Sequence, residues 1–109
     1  MPENFDALLG LSVRRFTDRV ALTWDGGRLT WRGLDSRVAA LASRLAARGV
    51  GAGDRLALVI GNSPDFVVAL LAGWRLGATV APLDPLLKDD ERVAILADLS
   101  PAAVLDAGA

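Results

Sequence analysis

Residues 53–82 restrict the fold more than any other part of the chain. Asp54-Arg55 leads into Leu56-Ala57-Leu58-Val59-Ile60, a short continuous apolar run, which Gly61-Asn62-Ser63-Pro64 breaks. Over 66–76 nearly every position is apolar; Gly77 closes the stretch, and Thr79-Val80-Ala81 is a second apolar run stopped by Pro82. An unbroken apolar strand suggests burial on both faces, as in a parallel sheet. Ser63 before Pro64 supplies a cap hydroxyl and a proline suited to the first helical position, and Gly77 supplies the stop. Strand, helix and strand in this order predict a right-handed β-α-β crossover.

A chain of 109 residues holds one domain at most. That is enough for a core, but not for a core plus an elaborate active site. The net charge of -1 gives no reason to expect a nucleic-acid or acidic-membrane partner. Lys88 is the only lysine; arginines carry the other positive charges, a bias that fits coding preference better than function. The sequence has no Cys, His or Tyr, which excludes disulfides, thiol chemistry, histidine general-base catalysis and Cys/His zinc sites within these residues. Met1-Pro2-Glu3-Asn4 has neither the basic start nor the apolar core of a secretory leader. The longest apolar run is about half of the roughly 20 residues a membrane span needs. The expectation is a cytoplasmic protein.

The first element reads as a helix over 4–16, capped by Asn4, with Phe5, Leu8, Leu9, Val13 and Phe16 on one stripe. That stripe suits packing against the domain better than docking of a partner. A hairpin follows, with a strand over 20–24, the turn Asp25-Gly26-Gly27, and a return through Arg28-Leu29-Thr30. Trp24 and Trp31 flank it. They suit either a stacking platform for a base or hairpin packing, and the lack of a basic groove beside them favours packing. Thr30 is placed to cap a helix over 31–48 with Leu34, Val38, Leu41 and Leu45 inward. Asp35, Arg37, Arg44 and Arg48 lie mostly on its other side, as a solvated face rather than a binding patch.

Gly49-Val50-Gly51-Ala52-Gly53 starts like a dinucleotide-binding loop. That loop must follow a strand and open a helix; here the glycines follow a helix and precede a strand, so the segment reads as a helix-ending connection. Gly61-Asn62-Ser63 does follow a strand and open a helix, where free N–H groups hold anions. Pro64 removes one donor, and plain capping is the preferred reading. The helix over 66–76 is apolar around its whole circumference and needs cover on more than one side. A chain of this length has little material to supply it, which points to a larger protein or a second copy. Asp84, between Pro82 and Pro85, is either a catalytic carboxylate or a turn-stabilising acceptor, and the second reading is preferred because no acid or base stands near it in sequence. Asp89-Asp90-Glu91 suits the positive end of a helix running to residue 99. A metal site is the sharper alternative there, disfavoured because adjacent acids on a helix point different ways. Ser100-Pro101 ends that helix, and Ala103-Val104-Leu105 reads as one more buried strand.

Three stretches resemble the N-terminal part of the AMP-forming adenylating enzymes, the superfamily of acyl-CoA synthetases, luciferases and the adenylation domains of nonribosomal peptide synthetases. Leu29-Thr30-Trp31-Arg32-Gly33-Leu34 is similar to the family's first core motif, with Trp31 where tyrosine is usual. Gly53-Asp54-Arg55-Leu56-Ala57-Leu58 with Asn62-Ser63-Pro64-Asp65-Phe66 resembles its strand-and-helix unit, and Arg75-Leu76-Gly77-Ala78-Thr79-Val80-Ala81-Pro82-Leu83-Asp84-Pro85 its second core motif. Gly33 and Gly61 depart from the usual residues, and neither bears on chemistry.

The likeness covers nearly the whole chain, which it makes a single partial domain over 1–109 of an AMP-binding enzyme. The fold it implies is an α/β layered sandwich with parallel strands near 55–60, 79–81 and 103–105, flanking helices and a hairpin near 20–30. The complete enzyme would use ATP and magnesium to activate a carboxylate, then usually pass it to CoA or to a carrier-protein phosphopantetheine. The family's phosphate-cradling loop ending in Pro-Lys-Gly, its ribose-binding Asp and its catalytic Lys have no counterpart in these residues, and Lys88 lies in a different context. The resemblance therefore assigns no catalytic, cofactor-binding or metal-binding residue here and no cofactor to this chain alone. Its implied partner is the remainder of an adenylating enzyme or a second copy. The alternative is a stand-alone, non-catalytic scaffold that self-associates or binds another protein.

Overall fold

The computed structural model describes residues 5–106. The order is α1 (Phe5–Phe16), β1 (Val20–Trp24), β2 (Gly27–Thr30), α2 (Trp31–Ala47), β3 (Arg55–Val59), α3 (Pro64–Arg75), β4 (Thr79–Pro82), α4 (Asp89–Leu99) and β5 (Ala103–Asp106). The proposed Asn4 cap lies outside the described residues. β1 and β2 form the antiparallel hairpin, pairing Trp24 with Gly27. Trp24 folds over its own turn, close enough that a Cβ on Gly26 would stand 3.1 Å from the indole Nε1.

The three-stranded sheet has the order β4-β3-β5, with both pairs parallel. Leu56 and Leu58 join the core under α1, α2 and α3, while Ala57 and Val59 join Leu83, Leu96 and Leu99 on the α4 side. The sheet is thus the middle of three layers, and all five residues from Leu56 to Ile60 are buried. Position explains the layering. β4 lies on one side of β3 and β5 on the other, so right-handed crossovers put α3 and α4 on opposite faces.

Local chemistry sets the ends of the elements. The Thr30 hydroxyl accepts from the Gly33 N–H at 3.0 Å, and the Ser63 hydroxyl from the Phe66 N–H at 3.2 Å. Gly77 leaves α3 in the left-handed region, at φ 75°. The Arg55 guanidinium donates to the Leu99 carbonyl at 2.8 Å, tying the end of α4 to the start of the central strand.

One expectation fails. The all-apolar helix α3 does not lack cover within the chain, since α1, α2, β3 and β4 all pack against it. Phe66, Val67, Leu70, Leu71, Trp74 and Leu76 are half-buried and Val68 is buried. The reason is tertiary: α1, distant in sequence, lies against both α2 and α3. Among the described residues, the exposed large apolar side chains are elsewhere, at Leu8, Leu11, Val20, Leu86, Val93, Ile95 and Val104.

Candidate functional site

In an open parallel sheet, ligands bind where consecutive crossovers leave for opposite faces, at the carboxyl ends of the strands. Here that point lies between β3 and β4, flanked by Gly61-Asn62-Ser63 and by Leu83-Asp84-Pro85. The loops are engaged with each other and with themselves. A Cβ on Gly61 would meet Pro85 Cγ at 3.9 Å. The Ser63 hydroxyl donates to the Gly61 carbonyl at 3.0 Å while it caps α3. Asp84 accepts from the Leu86 N–H at 2.9 Å, the turn-stabilising role expected of it. With Pro64 lacking an N–H and the Phe66 N–H given to Ser63, the loop serves as the cap of α3, the reading preferred from the sequence.

The other sequence candidates are also placed. In the glycine-rich connection, Asp54 accepts from the Gly51 N–H at 2.8 Å, and Gly49 and Gly53 take φ values of 92° and 81°. Asp89, Asp90 and Glu91 form the first turn of α4, with Asp90 accepting from the Glu91 N–H. Among the described residues no group of three or more such side chains is placed to hold a metal ion. The two tryptophans do not form one platform. Trp24 covers its turn, and the Trp31 ring tilts 39° against Phe16 at 6.5 Å.

Two features were not singled out by sequence reasoning. Arg75, at the end of α3, donates from Nε to Asp6 of α1 at 2.7 Å and from Nη2 to Asp35 of α2 at 2.8 Å. One guanidinium therefore clamps three helices. Burial by itself would lower its pKa, but the hydrogen bonds to Asp35 and Asp6 and the charges of both outweigh this, and the net shift is upward. No local spacing connects Asp6 with Arg75, so no sequence signal marks the clamp.

The second feature is a groove of about 420 Å³ between α2, α3 and β5. Arg37, Leu41 and Arg44 of α2 and Arg48, its C-cap, lie along one stripe, and Ile60, Val68 and Leu105 form an apolar floor. Asp65 and Asp106 line it from α3 and β5. A signal existed for this one, because the intervals from Arg37 to Leu41, Arg44 and Arg48 are helical-face spacings. Leu41, expected inward with Leu34, Val38 and Leu45, is only half-buried and belongs to the groove. Its charged lining is three arginines and two aspartates.

The AMP-binding enzyme family matches residues 11–109. The chain belongs to that family. It is 36% identical over 112 residues to an isonitrile lipopeptide synthase of Streptomyces coeruleorubidus, covering 100% of this chain and 8% of that protein. It is 36% identical over 94 residues to surfactin synthase subunit 3 of Bacillus subtilis, covering 86% of this chain and 7% of the synthase. In structure it superimposes on the Klebsiella oxytoca NpsA N-terminal subdomain in complex with anthranilyl-AMSN with a TM-score of 0.89 at 25% identity, over 97% of this chain and 28% of that one. A benzoate CoA ligase from Burkholderia xenovorans gives a TM-score of 0.86 at 28% identity, over 93% of this chain and 21% of the ligase. The chain thus spans a small fraction of these relatives, and it carries the N-terminal portion of the adenylation-domain and ligase fold. No helix among the described residues is long and apolar enough to cross a membrane.

Proposed function

We propose that this chain is the N-terminal scaffold of an ATP-dependent, carboxylate-activating ligase, a single partial domain that is catalytically incomplete by itself. One observation carries the reading: the family match runs through residues 11–109, while the chain covers only 28% of the NpsA subdomain it superimposes on. The complete enzyme joins a carboxylate to the α-phosphate of ATP, releasing pyrophosphate, and a thiol of CoA or of a carrier protein then displaces AMP to give a thioester. Magnesium and ATP are handled by residues outside this chain. Within it, Ser63, Asp84 and the acids of α4 serve turns and caps. The protein works in the cytoplasm.

The partner is the remainder of the enzyme. Leu86 at 88% exposure and Val93 at 66% leave apolar surface that such a partner covers. The same surface favours a second reading, a self-associating scaffold with no catalytic parent. Two measurements decide. The chain, mixed with ATP, magnesium and a panel of carboxylic acids, is expected to give no pyrophosphate exchange; robust exchange refutes the claim that it is incomplete. Light scattering over a sizing column that gives a sharp dimer supports the self-associating scaffold instead.

A further inference from the structure

The helices α1 and α4 carry opposite charge on opposite faces of the sheet. α1 lies against α2 and α3 on one side, while Leu96 and Leu99 of α4 pack on Ala57, Val59 and Leu83 on the other. The last turn of α1 holds Arg14 and Arg15, and the first turn of α4 holds Asp89, Asp90 and Glu91. Among the described residues Arg14, Arg15, Asp90 and Glu91 make no ion pair. The two helices have 12 and 11 residues, so their lengths agree.

Their solvent-facing rows also match. On α1, Leu8 and Leu11 are 46% and 43% exposed, and the exposed Arg15 continues the row one turn further. On α4, Asp90, Ala94 and Ala97 form an exposed row, and no residue of this helix is buried. From its carboxyl end the α1 row steps back by four and then three residues, Arg15, Leu11, Leu8. The α4 row steps forward by four and then three, Asp90, Ala94, Ala97. An antiparallel helix pair therefore sets Arg15 against Asp90, Leu11 against Ala94 and Leu8 against Ala97, and it also opposes the two helix dipoles. The small alanines leave room for the leucines. We infer that the α1 face docks head to tail on the α4 face of a second copy of this chain. The occupant is not the same copy, because the sheet and its core stand between the two faces. A twofold contact of α1 on α1, or of α4 on α4, brings two faces of like charge together. A heterologous contact instead repeats from copy to copy. One helix pair buries less than the roughly 1,200 Å² of a stable complex, so the contact is weak and grows with concentration. The inference goes beyond the reading of the chain as a partial domain and does not depend on it.

The test follows backbone amide resonances of the 109-residue chain by NMR as its concentration rises. The amides of Leu8 and Leu11 on one face and of Ala94 and Ala97 on the other are expected to shift together. Two variants then separate the faces: Arg14→Gln with Arg15→Gln neutralises α1, and Asp90→Asn with Glu91→Gln neutralises α4. Each exposed ion pair contributes a few-fold, so either variant alone is expected to self-associate about tenfold more weakly. These side chains are exposed, and the changes leave the core intact. Mixing the two variants restores one contact. With the arginine variant isotope-labelled and the acid variant unlabelled, only the α4 amides are expected to shift; with the labels exchanged, only those of α1. Ala94→Gln keeps every charge but fills the space opposite Leu11, and it is expected to abolish the shifts of the natural chain. Resonances that do not change with concentration overturn the inference, as does a closed dimer in light scattering. Association unchanged between about 0.01 M and about 1 M salt, where the screening length falls from about 30 Å to about 3 Å, overturns it too. So does a mixture in which both faces respond, or neither. The readout involves no catalysis, so pyrophosphate exchange by the chain alone would sink the partial-domain reading without moving this result.

Discussion

Gly73 is where α3 comes closest to the sheet. A Cβ there would stand 2.6 Å from Val80 Cγ2 and 3.0 Å from Leu56 Cδ2. Carbon atoms rest about 3.5–4.0 Å apart. Gly73→Ala must therefore lift α3 by roughly 1 Å, or rotate Val80 out of its preferred χ1. Leu56 is fully buried and has nowhere to go. Overpacking of this kind costs about 1–3 kcal/mol, while alanine regains about 0.8–1 kcal/mol over glycine in a helix interior. Gly73→Ala in the natural background is then destabilising by about 0–2 kcal/mol. In a Val80→Ala background the nearer contact is gone and only the 3.0 Å approach to Leu56 remains, so the same change is expected to be clearly less destabilising. The coupling between the two sites should be at least about 1 kcal/mol in the sense of rescue. Urea unfolding followed by the fluorescence of Trp74, the next residue, reads it directly. With urea m-values of about 1–3 kcal/mol/M, the coupling corresponds to roughly 0.3–1 M in midpoint. Additivity within about 0.5 kcal/mol would mean that Val80 does not hold α3 at this distance, and would refute the packing argument.

Other substitutions probe the joints of the scaffold. Arg75→Met removes the clamp between α1, α2 and α3 and leaves Asp6 and Asp35 uncompensated; a loss of about 1–2 kcal/mol in chemical unfolding is expected, exceeding that of Asp6→Asn. The folded-state pKa of Arg75 is raised, so its contribution is complete below the unfolded value and lost only as pH climbs through the folded one, in strong alkali. The melting-temperature difference between Arg75→Met and the natural chain should accordingly hold constant across neutral pH. Gly77→Ala places a side chain at φ 75° with Ala52 only 3.4 Å away, and should cost about 1–2 kcal/mol, measured by thermal melting. Ser63→Ala removes the cap of α3 and should cost about 1 kcal/mol, with faster amide exchange at Phe66 as the local signature.

Elements whose signals lie close together in sequence were legible. The β3-α3-β4 unit follows from an apolar run, a Ser-Pro start and a Gly stop, and the observed bounds differ from the expected ones by a residue or two. The hairpin follows from Asp25-Gly26-Gly27, and the α2 cap from Thr30. The absence of His and Cys already removed most catalytic possibilities. The groove was partly legible: the Arg37, Arg44, Arg48 spacing lay in plain view but read as a solvated face, with Leu41 read as inward, because nothing local says that β5 passes beside it. Gly73 also carried a local hint, since a glycine inside an apolar helix implies something packed closely against it. The cover on α3 was illegible, because it depends on α1 docking across two other helices.

The sequence by itself determined the family and the parallel layered fold. Those follow from residue types and from spacings of a few residues, which local backbone chemistry reads. Only the tertiary structure decided that β3 is central, between β4 and β5, and that Arg75 joins Asp6 to Asp35. Each of these pairs residues far apart in the chain, Arg75 and Asp6 being 69 positions apart. Contacts at that separation are set by how whole elements pack, and no pattern within a single element encodes them.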